Sequence, residues 1–127
     1  MKSKVKQNGK KHILIVEDNE VNRVFVENIL LRNGFMSTSA VNGKEALEKY
    51  RENYYDLVIM DIMMPCMDGY EATRQIRKLE KANTPIIALT ADTHKGSREK
   101  CFSSGVNDFL QKPVKITELL RAIRKWI

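Results

Sequence analysis

The chain has 127 residues, enough for one domain, and its 43% hydrophobic content supports a core and argues against intrinsic disorder. No apolar stretch approaches the roughly 20 residues of a membrane span, and the basic N-terminus has no apolar run typical of a secretory signal. Of the net charge of +6, five lysines in residues 1–11 contribute +5, and the remaining residues hold 17 basic and 16 acidic side chains. We therefore expect a flexible basic tail over residues 1–11, one folded domain over residues 12–127, and no direct binding of nucleic acid.

Strand and helix signals alternate from residue 12 onward. The apolar run 12–16 predicts a strand, and Asp18 or Asn19 suits the N-cap of a helix over residues 20–33. Gly34 follows that helix in a position that suits a left-handed C-cap. Helices of this kind bury an apolar stripe, and the residues that form one at helical spacing are Val21, Val24, Phe25 and Ile29.

The alternation continues to the C-terminus. Further strands are predicted over residues 35–40, 57–60, 86–89 and 106–110, and the continuous apolar runs 57–60 and 86–89 indicate burial on both faces. Helices are predicted over residues 44–53, 70–80 and 116–126, with a weak helix over 93–104 that has few apolar residues and Gly96 inside it. Leu79 and Ile116 belong to the apolar stripes of the third and last helices. Such an order predicts an open, doubly wound sheet of five parallel strands.

Side chains with useful chemistry follow these strands where each one ends. Glu17 and Asp18 come after the first strand, Asp61 after the third, and Thr90 and Lys112 after the fourth and fifth. Because ligands of such sheets bind at the carboxyl ends of the strands, we expect these side chains to gather at one edge. The carboxylates would repel one another without a cation, and oxygen ligands of this type favour Mg²⁺, with Mn²⁺ as the alternative.

Asp61 is the strongest candidate nucleophile in this group, because a carboxylate held at a strand end can form an acyl phosphate. Lys112 and the Thr90 hydroxyl are suited to contact phosphoryl oxygens, and Pro113 marks a rigid turn, of which a cis bond is one form, that orients Lys112. Taken singly, each residue is more often a cap, a turn former or a solvated charge. Their joint placement at the ends of the strands favours a phosphoryl-transfer site.

Four segments, in this order along the chain, carry a resemblance to a known family: IVEDN at 15–19, MDIMMPCMDG at 60–69, ALTA at 88–91 and FLQKP at 109–113. With them, the sequence resembles the receiver domain of two-component response regulators from about residue 12 to residue 127. The resemblance implies a flavodoxin-like fold with strand order 2-1-3-4-5. Residues 17–23 and the segment around Asp61 look most like receivers of hybrid sensor kinases and phosphorelays.

The resemblance also implies a role for each site residue. Asp61 is the phosphoacceptor, and Mg²⁺ is held by Glu17, Asp18, Asp61 and the backbone carbonyl of Met63. Lys112 takes the place of the family's lysine. Thr90 and Phe109 are the switch residues, and phosphorylation is expected to change the face formed by the fourth helix, the last strand and the last helix.

Partners and location follow from the same resemblance. The phosphate partner is a histidine kinase or a histidine phosphotransfer domain, and a larger hybrid kinase is one setting for this chain. Cys66 and Cys101 form no CxxC pair, and with His12 and His94 they show no zinc-ligand spacing. We therefore expect free thiols, a cytoplasmic location and no membrane segment.

Other functions are open at this point. A flavodoxin-like cofactor binder would share the topology but needs a phosphate-binding loop where this chain has Glu17 and Asp18. An aspartyl-phosphate hydrolase would need a cap insertion and a general acid near Asp61. A receiver-like interaction domain without phosphorylation is a further alternative. The expected activity is confined to phosphorylation and dephosphorylation of Asp61 itself, so the chain is not expected to be a stand-alone enzyme.

Overall fold

The computed structural model describes residues 9–64, 67–79, 83–91 and 96–127. Most of the predicted tail, the two residues Pro65 and Cys66, His94 and the start of the predicted fourth helix lie outside these ranges. Within them, strands and helices alternate with the following bounds: β1 His12–Val16, α1 Glu20–Arg32, β2 Met36–Ala40, α2 Gly43–Glu52, β3 Leu57–Asp61, α3 Gly69–Leu79, β4 Ile86–Thr90, α4 Ser97–Ser104, β5 Asp108–Gln111 and α5 Ile116–Trp126. None of the described helices has the length and apolar composition needed to cross a bilayer.

The five strands form one parallel sheet in the order β2-β1-β3-β4-β5, which confirms the predicted fold. All residues of β3 and β4 are buried, because helices cover both faces of the sheet. One core cluster includes Leu14, Val58 and Ile76, and a second includes Ile15, Ile59 and Leu119. Successive residues of a strand therefore belong to opposite clusters, because side chains alternate between the two faces of the sheet.

Helix α1 buries a different face from the predicted one. Its buried residues are Val26, Ile29 and Leu30, whereas Val21 is 77% exposed and Phe25 is 43% exposed. The two stripes overlap at Ile29, and both satisfy helical spacing, so periodicity alone could not choose between them. The chosen stripe leaves large apolar side chains on the solvent side of α1.

Three further local predictions can be compared with the structure. Asn19 caps α1 by accepting the backbone N–H of Asn22 at 2.9 Å, and Gly34 has the expected left-handed backbone with φ 83°. Leu79 and Ile116 were expected to face inward but are exposed, since they are the last and first residues of their helices. These terminal positions explain why helical spacing alone predicted burial at Leu79 and Ile116 that the structure does not show.

Helix α4 also differs from its predicted extent. It begins at Ser97, directly after Gly96, whose φ of 94° is left-handed and cannot continue a right-handed helix. At its other end Gly105 is left-handed as well, with φ 115°. Only three of its side chains are buried, and its N-cap makes no side-chain hydrogen bond. The expectation of a weakly anchored helix agrees with this burial.

Arg77 fastens α3 to the loops that precede β4 and β5. Its guanidinium donates to the carbonyl oxygen of Gly105 at 2.9 Å, to that of Thr84 at 2.7 Å and to Oδ1 of Asn107 at 2.7 Å. Oδ1 of Asn107 also accepts the backbone N–H of Ile86, at 2.9 Å. The planar donor fork of arginine suits three acceptors at once, so this one side chain fixes the register of both loops.

We expect Arg77→Ala to lower the free energy of unfolding by about 3 kcal/mol, because hydrogen bonds to a charged group are lost and their acceptors stay partly buried. Arg77→Lys should recover only part of this, since an ammonium cannot reproduce the fork. Urea denaturation followed by circular dichroism measures the change. Arg74→Ala is the matched control, because Arg74 pairs with Glu71 at an exposed site and should matter little. Equal losses in both variants would contradict the assigned role.

Candidate functional site

The carboxyl edge of the sheet brings together the side chains singled out in the sequence. Strands β1 and β3 are neighbours with Val16 opposite Met60, so Glu17 and Asp61 leave the sheet side by side. The N–H of Lys112 donates to the carbonyl of Thr90 at 2.8 Å, which ties the chain after β5 to the end of β4. Hydrogen bonds of the sheet thus set the positions from which these side chains extend.

Lys112 is the residue that joins the two carboxylates. Its Nζ lies 3.0 Å from Oε1 of Glu17 and 3.0 Å from Oδ1 of Asp61. The side chains of Glu17 and Asp61 are each 2% exposed, whereas that of Lys112 is 21% exposed. The three groups therefore carry a net negative charge in a nearly closed site, where a charge is costly unless it is neutralised.

This imbalance shifts the pKa values of all three groups. Burial, together with the adjacent Glu17 carboxylate, raises the pKa of Asp61 to about 7, and Lys112 offsets only part of that rise. Burial also acts to raise the pKa of Glu17, but its hydrogen bonds with Asp61 and Lys112 outweigh burial and lower it. Burial acts to lower the pKa of Lys112, whose contacts with both carboxylates raise it instead. With a pKa of about 7, Asp61 is only partly ionised near neutral pH, which reduces the negative charge beside Lys112.

Asp18 completes an acidic group on the solvent side. One carboxylate oxygen from each of Glu17, Asp18 and Asp61 lies within 4.8 Å of the other two. Asp18 is exposed, so the group is open toward water on one side and closed by the sheet on the other. Three carboxylates at this spacing, with the single Lys112 ammonium beside two of them, fit a hard divalent cation that keeps several of its waters.

Backbone contacts hold the two buried carboxylates in place. Glu17 accepts the N–H of Asn19 at Oε2, at 3.3 Å, and its carbonyl oxygen accepts from the Arg23 guanidinium, also at 3.3 Å. Oδ1 of Asp61 accepts the N–H of Met63 at 3.3 Å. The sequence analysis included Arg23 in the segment 17–23 that resembles receivers of hybrid kinases, but it did not predict the contact of Arg23 with Glu17.

Gly69 closes the loop after Asp61, and its role was also missed. A Cβ atom at this position would lie 2.4 Å from the carbonyl oxygen of Asp61 and 2.6 Å from Cα of Ile62. The N–H of Gly69 donates to the carbonyl of Ile62 at 2.9 Å. Only glycine permits this approach, so the start of α3 is packed directly against the backbone that carries Asp61.

The remaining predicted residues lie around this centre. Thr90 is fully buried at the end of β4, and Phe109 is half-buried on β5, where it packs against the core and lies opposite Ala88. The side chain of Met63 is 64% exposed. The Lys112–Pro113 peptide bond is cis. The structure thus places Glu17, Asp61 and Lys112 in direct contact, with the other predicted residues on the same edge or on the adjoining strand.

A sequence profile of the response regulator receiver domain matches residues 13–124. The chain belongs to the response regulator receiver domain family. Hybrid signal transduction histidine kinase B of Dictyostelium discoideum is 44% identical to it over an alignment of 120 residues, and the match covers 85% of this chain and 6% of that protein. The chain therefore spans only a small part of the curated relatives it matches.

Solved receivers share the fold closely. One match is the receiver domain of a sensor histidine kinase from Pseudomonas aeruginosa PAO1, whose crystal structure has a magnesium ion coordinated in the active site cleft. The two sequences are 42% identical and the TM-score is 0.86. The match covers 93% of this chain and 98% of that chain. A second match is the co-crystal structure of the Saccharomyces cerevisiae histidine phosphotransfer protein Ypd1 with the receiver domain of Ssk1. The identity is 35% and the TM-score is 0.86, and the match covers 92% of this chain and 88% of that chain.

Protons and Mg²⁺ should compete for Asp61 in this receiver. Because the pKa of Asp61 is about 7 without metal, the apparent Mg²⁺ affinity should fall about tenfold per pH unit below pH 7 and level off above it. Calorimetric titration with MgCl₂ across this pH range measures the affinity. Asp61→Asn should bind Mg²⁺ more weakly and with a flatter pH dependence, since the amide does not titrate. An affinity of the natural chain that does not change with pH would contradict the assigned pKa.

Proposed function

We propose that this receiver domain accepts a phosphoryl group from a histidine of a partner protein onto Asp61. The observation that carries the proposal is the position of the Lys112 ammonium, 3.0 Å from both buried carboxylates at the edge of the sheet. A carboxylate oxygen of Asp61 attacks phosphorus, the bond from phosphorus to the histidine nitrogen breaks, and the imidazole leaves with its electron pair. The product on this chain is an aspartyl phosphate.

Each residue of the site has a role in that transfer. Asp61 is the nucleophile and reacts as the carboxylate, so its proton must leave before attack. Lys112 neutralises charge on the transferred group and holds Asp61 in one direction. Thr90, at the end of the adjacent strand, supplies a hydroxyl for a phosphoryl oxygen. Because Gly69 and the N–H of Met63 fix the Asp61 segment, positioning accounts for much of the rate.

The acidic group is the proposed site for Mg²⁺, with Mn²⁺ as the alternative. Glu17, Asp18 and Asp61 would hold the ion, together with the carbonyl oxygen of Met63. When bound, the ion neutralises charge on the phosphoryl oxygens and orients them. The spacing of the three carboxylates within 4.8 Å and the raised pKa of Asp61 support this assignment.

The chain acts on itself rather than on a released substrate. We propose that it promotes phosphorylation and hydrolysis at Asp61 and is otherwise not a stand-alone enzyme. Glu17 and Asp18, at the end of β1, would repel the phosphates of a nucleotide cofactor, so the geometry does not favour a flavodoxin-like cofactor binder. An interaction domain without phosphorylation would have no use for the uncompensated charge around Asp61.

The proposed donor is a histidine kinase or a histidine phosphotransfer domain. Val21 and Val24 are exposed on the first turns of α1, shortly after the acidic residues Glu17 and Asp18 that follow β1, and Met63 is exposed beyond Asp61. Apolar side chains on both sides of the reactive carboxylate offer a surface for a protein donor. We further propose that this domain is part of a larger hybrid kinase. We also propose that it lies in the cytoplasm, where such kinases meet ATP.

The proposed output is a change in the face of α4, β5 and α5. Phosphorylation adds charge and acceptor oxygens beside Thr90, and Phe109 lies on the strand paired with the one that carries Thr90. Helix α4 buries only Ser97, Cys101 and Ser104, so little apolar packing opposes its movement. This sparse anchoring supports α4 as the element that shifts.

Incubation with acetyl phosphate and Mg²⁺, followed by intact mass measurement, tests the central proposal. The natural chain should gain one phosphoryl group, and Asp61→Asn should gain none because the amide is a poor nucleophile. Asp68→Asn is the matched control, since Asp68 is an exposed carboxylate seven residues away and should leave phosphorylation intact. Phosphorylation that persists in both Asp61→Asn and Asp61→Ala would overturn the assignment.

We expect Val21→Asp to slow phosphotransfer from a phosphorylated histidine donor protein by at least about tenfold, because it places a charge in the proposed docking surface. Phosphorylation by acetyl phosphate should change little, since that donor needs no protein contact. Leu31→Asp is the control, with an equally exposed leucine at the other end of α1. Phosphotransfer reactions quenched at successive times and analysed by intact mass measure the rates. Similar rates for the two variants would place the donor elsewhere.

A further inference from the structure

A cavity of about 420 Å³ lies beside the acidic group, between α1, the end of β4 and the segment after β5. Two residues that line it, Glu17 and Lys112, belong to the charged centre. Most of the remaining wall is apolar and includes Phe25, Val26 and Val114. The cavity is therefore shared between a phosphoryl-handling centre and an apolar surface.

The apolar wall is held rigidly on one side and open on the other. Val26 is 3% exposed and belongs to the core cluster between α1 and α5, so its position is fixed by packing. Phe25, the next residue toward the N-terminus, lines the cavity and is 43% exposed. An apolar group bound here would cover part of Phe25 and remove it from water.

We propose that this cavity receives the acyl group of small acyl-phosphate donors and favours bulky, apolar acyl groups over acetyl. The inference rests on the proposed function, because it names a donor class for the same Asp61. Lys112 lines the cavity and contacts Asp61, so a donor whose phosphoryl group lies at Lys112 can extend its acyl group along the apolar wall. Asn22, also in the lining, offers an amide donor for the acyl oxygens.

The chemistry of the step balances without any further reactant. A carboxylate oxygen of Asp61 bonds to phosphorus, and the bond between phosphorus and the bridging acyl oxygen breaks. The electron pair of that bond leaves with the acyl group as a free carboxylate, and no net proton is transferred. The apolar part of the leaving group contacts the cavity before and during transfer, which is how it would affect the rate.

The test compares acetyl phosphate with cyclohexanecarbonyl phosphate, whose parent acids have similar acidity, so that intrinsic reactivity is matched. In the natural chain with Mg²⁺, the second-order rate of Asp61 phosphorylation should be about tenfold higher with the bulky donor. Phe25→Ala should bring the ratio of the two rates close to one. Leu31→Ala is the control, because Leu31 is an exposed leucine of α1 outside the cavity lining, and it should keep the ratio.

A second variant tests the same cavity by filling it. Val114→Phe should also lower the ratio, and circular dichroism of each variant verifies its fold. Equal rates for the two donors in the natural chain, or a ratio that neither Phe25→Ala nor Val114→Phe alters, would overturn the cavity proposal. Those results would leave Asp61 as the phosphoacceptor. Failure of both donors to phosphorylate the natural chain would instead overturn the proposed function.

Discussion

The contact of one ammonium with two buried carboxylates constrains the rest of this structure. Lys112 can neutralise only one of the two charges at 3.0 Å, and the side chains of Glu17 and Asp61 are almost closed to water. The remaining charge is met by a proton on Asp61, with a pKa of about 7, or by a cation near Asp18. Folding thus leaves a deficit of positive charge at Asp61, and the site that we propose for a divalent cation coincides with that deficit.

The backbone must hold Glu17 and Asp61 in place although their carboxylates repel each other. The parallel strands do so, because β3 is buried along its whole length and Asp61 is its final residue. The loop that follows is closed by Gly69, which lies too near the Asp61 carbonyl for any side chain. A carboxylate that could swing away would relax into water and lose its raised pKa, so backbone packing and charge chemistry depend on each other here.

The sequence predicted the centre of the site better than its surroundings. The ends of the apolar runs identified Glu17, Asp61 and Lys112, because strand ends in a parallel sheet meet whatever the loops do. The inward face of α1 could not be predicted, since two apolar stripes share Ile29 and only tertiary packing selects one. Gly69 and the cavity beside Phe25 depend on distances between segments far apart in sequence, for which no local pattern exists. The roles of the site residues remain predictions.

Helix α4 lies between two glycines with left-handed backbones, Gly96 and Gly105, and contributes only three buried side chains to the domain. Its eight residues are therefore held to the domain by few buried side chains, of which Cys101 reaches a core cluster, and both of its ends are set by glycines. Changes in the exposed residues of this helix leave the strands and the reactive edge intact. The exposed face of α4 can therefore accept substitutions without disturbing the strand ends that hold Glu17, Asp61 and Lys112.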